Sequence, residues 1–113
     1  MIAPPIRTST GMALTSKQRQ FLRGLAHHKQ PVVMIGSAGL TERVVAELEQ
    51  TLAVHELIKI RIPASSSEEK QLLHDAIHSA TSAEWVQTIG RVMVFFRANE
   101  TSRIMPRLPD GKK

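Results

Sequence analysis

The sequence predicts an α/β fold of order α-β-α-β-α-β-β, a four-stranded mixed sheet packed with three helices. Three observations predict it. Apolar residues recur at helical spacing over 16–28, 41–54 and 66–81. Short runs rich in Val and Ile separate and follow these stretches. A Ser or Thr stands at the start of each helical stretch. The first βαβ unit predicts a parallel strand pair with a right-handed crossover, and a terminal hairpin adds antiparallel strands. The result is a small α/β sandwich.

The first helix is expected near 16–28. Thr15 caps it and Gln18 completes a capping box. Phe21, Leu22, Leu25 and Ala26 form its apolar stripe, with Lys17, Arg19 and Arg23 largely off it. Pro31 opens the next segment, because proline cannot continue a helix. Val32-Val33-Met34-Ile35 is a continuous apolar run, as in a strand covered on both faces.

A second helix is expected over about 41–54, with Thr41 as N-cap and Glu42 in the first turn. Val44, Val45, Leu48 and Leu52 face inward, and Glu47 and Glu49 face solvent. Leu57 to Ile62 alternates: Ile58, Ile60 and Ile62 point one way, Lys59 and Arg61 the other. Pro63 and Ser65-Ser66-Ser67 form a loop, and Ser66 with Glu69 makes a second capping box. Leu72, Leu73, Ala76, Ile77 and Ala80 are the expected inward residues of the third helix. Trp85–Ile89 and Val92–Arg97 flank a tight Gly90-Arg91 turn.

At 113 residues the chain is one domain with tails. Residues 1–13 read as a disordered leader and 98–113 as a basic tail, leaving 14–97 as the folded part. The apolar share of 42% permits a modest, mostly aliphatic core, since there are three Phe, one Trp and no Tyr. Having no cysteine excludes disulfides and thiol chemistry and fits a reducing compartment. No apolar run approaches the ~20 residues of a membrane span, and the N-terminus lacks the apolar core of a signal peptide. The cytoplasm is the expected location.

The net charge is +5 and the pI about 10.3. Such an excess attracts polyanions, nucleic acid foremost, although a solubilising surface gives the same number. Its distribution is uneven. Residues 1–40 carry five bases and no acid, and 83–113 carry six bases against three acids. Between them, 41–56 hold four Glu against one Arg.

Gly36 and Gly39 stand at the junction of the first strand and second helix, in the stretch PVVMIGSAGLTE. A glycine closing a strand lets the chain turn with positive φ, and a second one before a helix lets a ligand approach the backbone. The N–H groups of Ser37, Ala38, Gly39 and Leu40 would then point outward near a helix N-terminus, a setting that binds phosphate oxygens. The stretch is neither a Walker loop nor G-x-G-x-x-G, so a dinucleotide is not expected. G-x-x-G is similar to the clamp by which some RNA-binding modules grip backbone phosphates. A tight βα turn explains two such glycines equally well when nothing else is considered.

The segments LTSKQRQFLRGLAH, PVVMIGSAGLTERVVAELEQTLAVHELIKIRI and VQTIGRVMVFFR together resemble the CRS1–YhbY family, the CRM RNA-binding domain, in its short bacterial single-domain form. The resemblance covers residues 15–97. It implies a fold similar to the C-terminal domain of translation initiation factor 3. It maps the family's G-x-x-G loop onto Gly36, Ser37, Ala38 and Gly39. It further implies association with precursors of the large ribosomal subunit, as for bacterial stand-alone members; organellar relatives with repeated domains act in intron splicing. Here the residues between the glycines are Ser and Ala, so positive charge must come from neighbours. Arg43, Lys17 and Arg23 are the first candidates, and Lys59, Arg61 and Arg91 the next. The contacts would go to phosphate and sugar, so binding should weaken with salt, and selectivity for sequence should be low because aromatic stacking surfaces are scarce. Phe95, Phe96 and Trp85 read as packing residues rather than stacking platforms.

Other constellations are less persuasive. His74 and His78 share a helix face but lack the Glu of H-E-x-x-H and a third ligand, and read as solvent-facing. His27-His28 and His55 close their helices. His74 and Asp75 are adjacent on a helix and point about 100° apart, so they are not expected to converge. No catalytic group, metal or cofactor is expected. The expected function is an RNA-binding, monomeric protein that accompanies large-subunit assembly, holding RNA and then releasing it, without a membrane or small-molecule partner. The alternative is an adaptor docking a basic ribosomal protein through the acidic second helix. A small hydrolase or ribonuclease is the remaining option.

Overall fold

A computed structural model of the protein describes residues 14–28, 33–63 and 66–98. The expected leader and residues 99–113 of the expected tail lie outside the described residues. Three helices and four strands follow in the expected order: α1 Ser16–Ala26, β1 Val33–Met34, α2 Glu42–His55, β2 Leu57–Arg61, α3 Ser67–Thr81, β3 Glu84–Ile89 and β4 Val92–Phe96.

Each helix starts where a side-chain oxygen satisfies an orphan amide. Thr15 Oγ1 accepts from the Gln18 amide, and Gln18 Oε1 accepts in return from the Thr15 amide, both at 3.1 Å. Ser66 and Glu69 repeat this box at α3. Thr41 Oγ1 accepts from the Val44 amide at α2. α1 is shorter than expected and ends at Ala26, with His27 as its cap. A single residue, Glu56, links α2 to β2, at φ +65. Its amide donates to Leu52 and its carbonyl accepts from Arg97, which hold this uncommon backbone from both sides.

The sheet order is β1-β2-β4-β3. β1 runs parallel to β2, and β4 is antiparallel to both β2 and β3. The β2-α3-β3 connection therefore skips one strand position, and the hairpin folds β4 back into the gap. Gly90, at φ +58, supplies the positive φ that a two-residue hairpin turn needs at its first central position. A bulge at Val86 interrupts the β3–β4 register between Trp85 and Gln87.

Both faces of the sheet are used. Ile58, Ile60, Met93 and Phe95 pack against Leu48 and Leu52 of α2 and Ile77 of α3. On the other face Leu57, Val86, Val94 and Phe96 pack against Leu22 and Ala26 of α1. Phe95 and Phe96 are thus both core, one for each side.

Two expectations about burial fail. β1 is an edge strand covered on one face: Val33 and Ile35 are buried, but Met34 is 67% exposed. α1 lies mainly over the other three strands. In α3 the inward stripe is Leu73, Ile77 and Thr81; Ala76 and Ala80 are exposed, and Leu72 is 69% exposed. Thr81 tolerates burial because its hydroxyl donates to the Ile77 carbonyl and accepts from the Ala83 amide.

Arg97, just past β4, fastens the α2–α3 layer to the end of the sheet. Its Nη1 donates to Glu49 Oε1 and to the Thr81 carbonyl, each at 2.8 Å. Glu49 is therefore engaged in an ion pair rather than free toward solvent. Replacing Arg97 by Met should cost about 1–2 kcal/mol, since two charge-assisted bonds at a half-buried site are lost. Urea unfolding measures this, and Glu49→Gln should cost less because the carbonyl bond survives.

Burial pushes the Glu84 carboxyl above its ordinary value of 4.5, with nearby His78 acting in the opposite direction. A raised folded-state pKa means that the charged form weighs against the fold. The stability contribution is present below the unfolded pKa and is lost as pH rises through the folded one. Glu84→Gln should therefore gain in melting temperature relative to the parent as pH rises from about 4.5 through the raised folded-state value. A gap independent of pH would contradict this.

Candidate nucleic-acid interface

The parallel pairing fixes what surrounds the two glycines. Met34 is paired with Arg61, and the Ile35 amide donates to the Arg61 carbonyl at 2.8 Å. The Ile62 amide donates to the Arg91 carbonyl, also at 2.8 Å. The Gly36–Gly39 loop, the end of β2 and the hairpin turn therefore share one end of the sheet. Arg61 and Arg91 are exposed there. Arg43, exposed in the first turn of α2, follows the loop directly.

The two glycines differ in role. Gly39 takes φ +78, a left-handed conformation that costs any L side chain. Gly36 does not take positive φ, contrary to the expectation for a strand-closing glycine. A Cβ built on Gly36 meets nothing within 4 Å. Among the described residues, neither the backbone nor the packing therefore calls for glycine at position 36.

The loop amides also divide. The Gly39 amide donates to the Gly36 carbonyl at 3.0 Å, closing a turn around Ser37 and Ala38, so it is not the outward donor that the sequence suggested. The Thr41 amide donates to the Gly39 carbonyl at 3.1 Å. Among the described residues, the amides of Ser37, Ala38 and Leu40 meet no protein acceptor. They precede the N-terminus of α2, whose partial positive charge favours an anion. Glu42 sits in the same first turn and partly offsets that field, with Arg43 beside it.

The remaining predicted bases are spread out. Lys59 is half-buried, one pair inward from Arg61 on the same sheet face. Lys17 and Arg23 are exposed on α1, which lies on the opposite side of the sheet from α2. They are not gathered beside the loop with Arg43. Sequence spacing could not foresee this, because it does not say which face of the sheet a helix covers.

Charge is divided between the layers. Residues 14–28 contain Lys17, Arg19 and Arg23 and no carboxylate. The α2–α3 layer carries Glu42, Glu47, Glu49, Glu68, Glu69 and Asp75 against only Arg43 and Lys70. On the α1 side, the register also sets Met34, Arg61, Val92 and Ile89 in one row across all four strands. Met34 and Ile89 were not among the predicted interface residues. Within a continuous apolar run, or beside a turn, nothing local marks an apolar residue as uncovered.

The histidines separate likewise. His78 is exposed, and its Nδ1–H donates to the Ala83 carbonyl at 2.8 Å. His74 is not simply solvent-facing: its ring lies 5.6 Å from Trp85 and 6.0 Å from Phe95, centroid to centroid. His74 and Asp75 do meet, Nδ1 to Oδ1 at 3.1 Å, because short side chains on neighbouring positions can bend together. Gln71 also donates to Asp75, so this carboxylate belongs to a surface hydrogen-bond chain. Trp85 packs against the core, donates to Thr88 Oγ1, and carries the Arg19 guanidinium 5.7 Å from its ring centre. Among the described residues no three His, Asp or Glu side chains converge as metal ligands.

Comparison with known proteins agrees with this architecture. A Haemophilus influenzae RNA-binding protein is 52% identical over 95 residues, covering 83% of this chain and 96% of the relative. A probable RNA-binding protein of Pseudomonas aeruginosa is 36% identical over 88 residues, covering 78% of this chain and 85% of the relative. A solution structure of a Staphylococcus aureus protein, described as a candidate RNA binder, superposes with a TM-score of 0.70 at 33% identity. That match covers 85% of this chain and 99% of the other. The model of the CRS1 / YhbY (CRM) domain matches residues 14–97, and the chain belongs to that family.

Proposed function

We propose that this protein binds RNA through its sugar–phosphate backbone at the Gly36–Leu40 loop. The observation that carries the reading is Gly36. The described fold has no need of glycine there, and the bare backbone leaves room for a phosphate to approach the Ser37, Ala38 and Leu40 amides. Arg43 follows the loop in the first turn of α2, and Arg61 and Arg91 stand at the same end of the sheet; they supply the positive charge that the loop's own side chains lack. The names of the family's relatives support RNA as the partner.

The particle we assign to it is the precursor of the large ribosomal subunit, as family membership implies. The protein acts there without chemistry or cofactor, as a cytoplasmic monomer. A contact made mainly to phosphate is sensitive to local charge, which suits temporary holding during assembly. The adaptor alternative is weakened by Glu49, whose carboxylate is already paired with Arg97.

Filter binding to large-subunit RNA fragments tests the loop. Gly36→Val should leave stability unchanged or raise it by up to about 1 kcal/mol, because the unfolded chain loses freedom. Its RNA affinity should fall roughly tenfold or more. Gly39→Ala should instead cost about 1–2 kcal/mol of stability through its φ. For the parent, contact with about four phosphates gives a log–log salt slope of roughly −3. Undiminished RNA affinity in a folded Gly36→Val protein would overturn the loop reading.

A further inference from the structure

Beyond the loop, we infer that the uncovered row Met34–Arg61–Val92–Ile89 is a platform for the bases of single-stranded RNA whose backbone lies at the glycine loop. The inference rests on the loop reading and adds to it a second contact of different chemistry.

The row is a product of limited coverage. α1 packs over Leu57, Val86, Val94 and Phe96, which occupy the part of this face away from the loop. The last cross-strand row therefore stays open, with Met34 67% and Ile89 64% exposed, Arg61 exposed and Val92 half-exposed. It spans three inter-strand spacings, about 14 Å. Sheet-based RNA readers use a four-stranded face to hold two or three bases. Met34 lies two residues before Gly36, about 7 Å along the strand. A strand of RNA crossing the loop thus brings its bases within reach of the row.

The chemistry of the row favours a base over an acidic or apolar protein surface. Arg61 stands between Met34 and Val92, and a guanidinium plane stacks on a nucleobase. The Met34 thioether is polarisable and makes favourable contacts with aromatic rings. Lys59 lies one pair inward, and β1, β2 and β4 carry no carboxylate. The apolar members thus sit inside a positively charged field next to a phosphate-binding loop. Because every base has a π-face, selectivity for sequence stays low.

The test uses the full chain and two RNA probes: a mixed-sequence single strand about twelve nucleotides long, and the same strand with its central bases removed. The parent should bind the base-bearing strand roughly tenfold better than the abasic one. The double variant Met34→Thr/Ile89→Thr keeps strand propensity at two exposed positions, and its unfolding midpoint checks the fold. It should lose that preference while binding the abasic strand as the parent does. Gly36→Val should weaken both probes. Equal parental affinity for the two strands would overturn the platform, as would an undiminished preference in the folded double variant. The row would then serve another occupant, such as residues 99–113 or a protein partner. If Gly36→Val leaves both affinities unchanged, the loop reading fails and the platform fails with it.

Discussion

Strand β4 is the element on which the rest of the structure depends, because from Met93 to Phe96 both of its faces are buried. Met93 and Phe95 enter the core beneath α2 and α3, and Val94 and Phe96 enter the core beneath α1. Its insertion between β2 and β3 closes the sheet and draws the hairpin turn against the end of β2. Arg97 then ties the strand's far end to Glu49 and to the last turn of α3. Both cores are joined through four consecutive residues, Met93 to Phe96, so loosening β4 would loosen both layers.

The same arrangement sets the surroundings of the proposed RNA site. α1 has eleven residues and covers only part of its face. The parallel β1–β2 pair sets the glycine loop at the same end of the sheet as Arg61 and Arg91. Acidic side chains collect in the α2–α3 layer, leaving the α1 side without carboxylates in α1, β1, β2 or β4. Among the described residues the positive excess therefore lies on the α1 side, although the net charge is only +5. Main-chain amides supply the proposed grip, and they carry no information about sequence.

Much of the fold was legible because its signals are local. Thr15 with Gln18, and Ser66 with Glu69, identify helix starts within three residues of chain. Gly90-Arg91 identifies the hairpin between two apolar runs. The inward stripe of α3 was misread because Leu72, Ala76 and Ala80 are apolar whether or not a neighbour covers them. Arg97 was read only as the last residue of the final strand, and its partners Glu49 and Thr81 lie too far away in the chain to be paired with it by spacing.

The candidate site was legible in part. The glycine pair and its basic setting stand in the sequence, and so does the resemblance that pointed to RNA. The sequence by itself determined the identity and order of the elements, their caps and the excess of positive charge, because each depends on a residue and its near neighbours. Only the tertiary structure decided the strand order, the side of the sheet that α1 covers and the uncovered row at its margin. It alone also decided that Gly39 shapes the loop while Gly36 leaves it open. These are outcomes of contacts between segments distant in the chain, and burial, which sets their energies, has no local signature.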